Sequence, residues 1–331
     1  MRPMILPRLP THASVAAMYP GPSDIEAAAA RIASRVRHTP LLRLRDDELG
    51  LGYPITLKLE LLQHAGSFKP RGAFNRILAA QEAGELPTAG VIAASGGNHG
   101  AAVAFVARAL GLPAEIFVPE LTPPAKRARI ESFGARLVRT GATYAEALQA
   151  SRARAAETGA MEVHAYDHPM VLAGQGTTAR EFEADAPDLT HVLVAAGGGG
   201  LIGGMAAWYS SRVKLISVEP AACPALHDAL ASGHPVEAPV GGVAADSLGA
   251  RQVGALMFPI AAVHVSEAVL VSDDAIRAAQ RLLWDRVRLV AEPGGATALA
   301  ALTSAAWTPP PGARVGVLVC GSNTDPGSVA T

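Results

Sequence analysis

Two cysteines in 331 residues leave little for sulfur to do. Cys223 and Cys320 lie far apart and form no CxxC pair, so neither a disulfide framework nor a zinc site is expected. Reduced thiols in a cytoplasmic protein are the simpler reading. Charge is also sparse: 17% of residues are charged and the net charge is −1. That balance offers no general attraction to nucleic acid or to an anionic membrane, and neither is expected as a partner. The run Lys126-Arg127-Ala128-Arg129 reads as a solvated helix face. No apolar run reaches membrane-spanning length without Gly, Pro or charge. The stretch from Met1 to Pro20 contains proline and lacks a continuous apolar segment after a basic start, so it does not read as a signal peptide, and Met18 is an alternative start.

What the chain does have is apolar residues, at 50%, and 33 glycines. That is a globular composition, and the length allows one or two domains. Short β-rich runs alternate with Gly-rich turns and Ala-rich helical stretches. Strands are expected at 55–59, 90–94, 114–118, 136–138, 191–195, 214–218 and 315–319, and helices at 98–110, 124–133, 144–157 and 273–286. Such alternation argues an α/β fold with largely parallel sheets. Two units stand out, one from Gly90 to Tyr166 and one beginning near Asp188. A small domain over 81–166 and a large one made of 1–80 and 167–331 are expected, with two doubly wound sheets and a site between the domains, at the carboxyl ends of strands.

Three motifs carry chemistry. After the apolar run His191–Ala196 come Gly197, Gly198, Gly199 and Gly200, then Leu201 and a helical stretch. Consecutive glycines let backbone N–H groups converge on an anion, and the helix dipole adds to the attraction. A phosphate is the natural guest. The spacing Gly198-x-Gly200-x-x-Gly203, with Glu219 at the end of the next strand, also satisfies a dinucleotide fingerprint, so a nicotinamide oxidoreductase is a rival reading. The second motif, Ser95-Gly96-Gly97-Asn98-His99-Gly100, lies between a strand and a helix. Its N–H groups suit a carboxylate, while a plain helix cap by Ser95 or Asn98 is the blander reading. In the third, Gly66-Ser67-Phe68-Lys69-Pro70-Arg71-Gly72-Ala73, a lysine sits at an element boundary among small and apolar neighbours. A desolvated lysine near a phosphate site can form an imine with an aldehyde.

Taken together these segments resemble the fold-type II enzymes of pyridoxal 5'-phosphate, in their serine/threonine dehydratase and serine racemase branch. The resemblance rests on Lys58-Leu-Glu60, Gly66–Ala73, Ser95–Gly100, Gly174-Gln-Gly-Thr177 with Glu181, Gly197–Leu201 and Glu292-Pro-Gly-Gly295, and covers about Arg31 to Asp325. It implies a tryptophan synthase beta-like fold, a homodimer and an amino acid substrate. By the same resemblance, Lys69 holds the cofactor as a Schiff base and Phe68 packs by its ring. Gly197 to Gly200 and Leu201 cradle its phosphate, and Asn98 bonds its 3' oxygen. Cys320 stands near the pyridine nitrogen, and Ser95, Gly96, Gly97, Asn98 and His99 hold the substrate carboxylate.

A thiol beside the pyridine nitrogen is a weak, neutral partner, which favours prompt β-elimination over reactions through a long-lived carbanion. Lys69 then serves as the base at Cα, and the products are a 2-oxo acid and ammonia. Three departures qualify the match. Gly96 stands where racemases carry a second serine, which points to a dehydratase rather than a racemase. The acid that metal-dependent members place shortly after the position of Glu219 is missing, so no metal is expected and Glu219 is as readily a solvated strand end. Ser247 replaces a glycine, so bulkier β-hydroxy amino acids come into range. The chain ends at Thr331, so isoleucine feedback through a C-terminal regulatory domain is not expected. A non-catalytic binding protein on the same fold is the remaining rival.

Overall fold

Helices and strands alternate from Pro22 onward, as the sequence pattern demands. The structure, a computed structural model, describes residues 19–329. The expectations about residues 1–18, including the start at Met1 or Met18, lie outside the described residues.

One sheet has six strands, in the order β1-β2-β10-β7-β8-β9. These are β1 (Leu41–Leu44), β2 (Ile55–Lys58), β7 (His191–Ala195), β8 (Lys214–Pro220), β9 (Val265–Val271) and β10 (Val315–Leu318). Only the β1–β2 pair is antiparallel. The second sheet, β5-β4-β3-β6, is wholly parallel. Its strands are β3 (Val91–Ala94), β4 (Ala114–Val118), β5 (Arg136–Arg139) and β6 (Met161–Glu162). Central parallel strands are covered on both faces and so read as unbroken apolar runs. Val192, Leu193 and Val194 of β7 are fully buried, and each such side chain contributes roughly 1.5–3 kcal/mol.

The unread strands are β1, β6 and β9. β9 lies at a sheet edge, carries Ser266 and Glu267 on its exposed side, and follows helix α10 (Phe258–His264) with no intervening turn residue. An edge strand needs only one apolar face, and here no punctuation announces it.

Helices α1 (Pro22–Ile32), α2 (Lys69–Glu82), α3 (Asn98–Leu110), α4 (Pro124–Ser132), α5 (Tyr144–Thr158), α6 (Pro169–Asp185) and α7 (Gly200–Tyr209) lead up to β8. Beyond it come α8 (Ala225–Ser232), α9 (Ala245–Leu248), α11 (Asp273–Val287) and α12 (Pro293–Thr303). Among the described residues no helix is long and apolar enough to cross a membrane. Helix α4 departs from the expectation of a solvated face: Lys126 pairs with Asp246 at 2.6 Å, and Arg129 donates to Ala65 O at 3.3 Å. Both basic residues are half-buried against the other sheet's side of the molecule.

α6 and α7 pack backbone to backbone. A methyl group added at Gly204 would collide with Leu172 O and lie 2.7 Å from Gly176 N. Neither contact is the end of a flexible side chain, so the helices themselves would have to part. Gly204→Ala is therefore expected to cost at least about 1–3 kcal/mol, read as a lower urea midpoint with an unchanged slope.

Candidate active site

Lys69 is set in place by the far end of the chain. β10 runs between β2 and β7, and beyond it Cys320–Ser322 pair with the segment before α2. Ser67 bridges Gly321, Phe68 N donates to Cys320 O at 3.3 Å, and Ser322 N donates to Gly66 O at 2.9 Å. Lys69 and Cys320 are thereby held in the same cavity. Glu292, the cap residue of α12, is locked to the same strand end by its N–H to Gly321 O at 3.0 Å.

Below this segment lies a buried ion network. Arg71 donates to Glu60 through both Nε (2.8 Å) and Nη2 (2.6 Å), to Glu181 at 3.1 Å, and to Thr177 Oγ1 at 3.3 Å. Lys58 Nζ donates to Glu181 at 2.6 Å and to Thr39 O at 2.7 Å. Burial alone would raise the Glu181 carboxyl, but the Arg71 and Lys58 charges hold it below its usual range. The segments Lys58–Glu60 and Gly174–Glu181 are thus gathered beneath α2, away from the cavity.

The cavity encloses about 470 Å3 of space between atoms, part of it open to solvent. Phe68, Lys69, Asn98, the glycines 197–200, Leu201 and Cys320 line it. Gly199 adopts φ +87°, a conformation open to glycine, and caps α7 with no side-chain hydrogen bond. The N–H groups from Gly197 to Ile202 make no hydrogen bond to another described residue. Free N–H groups at an uncapped helix start form an anion site.

Lys69 opens onto the cavity, and its Nζ donates to Ala165 O at 2.9 Å and sits 5.1 Å from the centre of the Phe68 ring. Burial lowers its amine to about 8, with the Glu292 carboxylate opposing the shift. Burial pushes the Cys320 thiol well above its usual range, so it stays neutral, and its Sγ donates to Gly294 O at 3.4 Å. The Glu292 carboxyl is raised by burial to about 7, with the Asn98 hydrogen bond, Arg129 and Lys126 pulling the other way.

The loop 95–99 behaves less uniformly. Gly97 is the cap of α3 and no side chain caps it. Ser95 Oγ accepts instead from Gly97 N at 3.2 Å. The N–H groups of Gly96, Asn98 and His99 have no partner among the described residues. Of the loop's side chains only Asn98 faces the cavity. His99 turns to Val163 O at 2.7 Å, and burial lowers its imidazole to about 3. A methyl group at Gly96 would stand 3.0 Å from Thr122 Cγ2.

Tyr166 is a lining residue that no motif announced. Its ring and backbone cover Gly198 and Gly200 so closely that any side chain there would collide with them. Ser247 and Leu248 of α9 complete the lining.

Glu219 corrects one expectation. It is a fully buried carboxyl, not a solvated strand end: Oε1 accepts from Leu226 N and Oε2 from His227 N, both at 2.7 Å. Burial raises it to about 8. Fully buried, turned onto the start of α8 and outside the cavity lining, it is not presented to a ribose hydroxyl, which removes the support for a dinucleotide site.

A buried amine facing an anion cradle across an apolar cavity defines a class of protein that captures a phosphorylated aldehyde. The donor set fits pyridoxal phosphate: free N–H groups for the phosphate, an amine of lowered pKa for the aldehyde, and a neutral thiol and an amide beside them. The family described as "Pyridoxal-phosphate dependent enzyme" matches residues 32–321. An L-threonine ammonia-lyase of Geobacter sulfurreducens is 41% identical over 304 residues, 91% of this chain and 75% of that protein. A phenylserine dehydratase of Ralstonia pickettii is 37% identical over 320 residues, 94% of this chain and 95% of that one. The solved structure of maize serine racemase superposes with a TM-score of 0.87 at 30% identity, covering 94% of this chain and 95% of that one. The chain belongs to the pyridoxal-phosphate dependent enzymes, in the branch of threonine dehydratases and serine racemases, and has their tryptophan synthase beta-like fold.

An amine must be neutral to attack an aldehyde. The rate at which apoprotein takes up pyridoxal phosphate is therefore expected to rise about tenfold per pH unit below about 8 and to level off above it. Stopped-flow absorbance across pH 6–10 measures this; a flat profile would contradict it.

Proposed function

We propose that the protein is a dehydratase that converts a β-hydroxy amino acid, such as L-threonine or L-serine, to a 2-oxo acid and ammonia. In this proposal 81–166 forms the smaller domain and the remainder the larger, with the site between them. The observation that carries it is the pairing, in one cavity, of the Lys69 amine lowered to about 8 with a Cys320 thiol that stays neutral. The names of the ammonia-lyase and dehydratase relatives support the same reading.

Bound in the cavity, pyridoxal phosphate would supply an electron sink for the bond broken at the substrate's Cα. The N–H groups from Gly197 to Ile202 hold its phosphate. Asn98 would hold the ring oxygen, and Cys320 would offer the ring nitrogen a partner that gives up no proton. The N–H groups of Gly96, Asn98 and His99, at the uncapped start of α3, hold the substrate carboxylate. Lys69 Nζ takes the proton from Cα, within the pKa range where a base works best near neutral pH. The β-hydroxyl leaves as water, with the proton taken from Cα balancing its departure, and a second water is consumed in releasing the 2-oxo acid and ammonia. The position of Gly96, tight against Thr122, supplies no side chain to return a proton from the other face.

The test is to supply holoenzyme with L-threonine and L-serine and to measure 2-oxobutyrate, pyruvate and the enantiomers of serine together. Release of 2-oxo acid with little D-serine is expected. D-serine forming as fast as pyruvate would replace the dehydratase reading with the racemase one, and no turnover at all would favour a binding protein.

A further inference from the structure

The Asn98 amide is pinned at both ends. Its Nδ2 donates to Glu292 Oε1 at 2.5 Å, and its Oδ1 accepts from Asn323 Nδ2 at 2.5 Å. Asn323 is anchored in turn, because the same Nδ2 donates to Ala65 O at 2.9 Å. Glu292 is fixed by its N–H to Gly321 O and by a carboxylate packed directly over Gly321. Flipping the Asn98 amide would set its oxygen against the carboxylate and its nitrogen against a donor, losing both bonds. In the orientation that remains, one Nδ2 hydrogen is left unused. Asn98 and Glu292 both line the cavity, and Glu292 is the sole carboxylate in that lining.

We propose that Glu292 and Asn323 are positioning residues that fix the direction of the Asn98 amide, leaving its spare N–H aimed at the cofactor's ring oxygen. The proposal rests on the reading of the cavity as a pyridoxal-phosphate site. It assigns the Glu292-Pro-Gly-Gly295 segment a task at the site, and it makes Asn323 part of the cofactor's setting although it does not line the cavity. Removing either partner frees the amide to rotate and weakens the bond to the ring oxygen; Asn323 does so from outside the cavity lining.

The test compares wild type, Asn98→Ala, Glu292→Ala, Asn323→Ala and the two doubles that combine Asn98→Ala with each of the others. Two quantities are read on each: the Kd for pyridoxal phosphate by fluorescence titration of apoprotein, and the visible circular dichroism of the bound cofactor, which reports how its ring is held. Each single variant is expected to weaken binding on the order of tenfold and to reduce the dichroic band. The doubles are expected to be no worse than Asn98→Ala alone, because effects transmitted through one amide do not add. Thermal unfolding of each apoprotein runs alongside. If Glu292→Ala fails to fold, the half-buried Asn323 and its double carry the same comparison. Wild-type Kd and band in Glu292→Ala and Asn323→Ala, or losses that add fully to that of Asn98→Ala, would overturn the proposal alone. A wild-type apoprotein that takes up no pyridoxal phosphate would overturn the cavity reading and this proposal with it.

Discussion

Lys69→Ala is expected to abolish the visible absorbance that wild type acquires with pyridoxal phosphate and to cut 2-oxo acid release by about 10²–10⁴ or more. Among the residues lining the cavity Lys69 is the one amine, and burial brings it to about 8. Its removal takes away both the group that links the cofactor and the base at Cα. The glycine cradle is untouched, so phosphate-dependent affinity should persist in part, seen as quenching of protein fluorescence without the visible band. An unaltered band in Lys69→Ala would end the present account of the site.

Arg71→Met should be the most destabilising change near the site, and for a reason unrelated to catalysis. Arg71 is 1% exposed and satisfies Glu60, which is fully buried. Removing the guanidinium strands that carboxylate in the interior, a loss of about 3–5 kcal/mol when one partner of a buried pair is deleted. Denaturant unfolding would show it, and a change below 1 kcal/mol would refute the network's role. The pH dependence has a definite sign. Glu181 has a folded pKa held below its ordinary 4.5, so its contribution is present above that value and is lost as pH falls through the lowered folded pKa. Arg71→Met should therefore flatten the acid limb of the stability curve.

How much of this could be read beforehand follows from what each residue answers to. The glycine run, Lys69, Asn98 and Cys320 are legible because their chemistry is local and their order along the chain matches the family's. The motif Lys58–Glu60 was legible as a resemblance but not as a task. Its partners Arg71 and Glu181 come from other elements, and only the fold shows that the four side chains form one network. His99 belongs to the substrate loop by its free backbone N–H, which the motif makes legible, whereas the direction of its ring is not. Its ring answers to Val163 instead, a contact across 64 positions. Glu219 stands open in the sequence between a ligand-binding carboxylate and a solvated strand end, because both follow a strand in the same way. Its burial depends on α8 starting at the right place to offer two N–H groups. Tyr166 had no signal, since a lone tyrosine after a short edge strand looks like any other.

The placement of β10 has a consequence for the order of events during synthesis. It is the last strand of the described residues, yet it sits between β2 and β7, and the residues just beyond it pair with Gly66–Phe68. Until about residue 322 has left the ribosome, β2 has no parallel neighbour and Lys69 has no wall opposite. The four-stranded sheet, whose strands all fall between Val91 and Glu162, is free of that constraint. A nascent chain can therefore complete one sheet while the other waits for its centre, and the wall opposite Lys69 is in place only once about residue 322 has emerged.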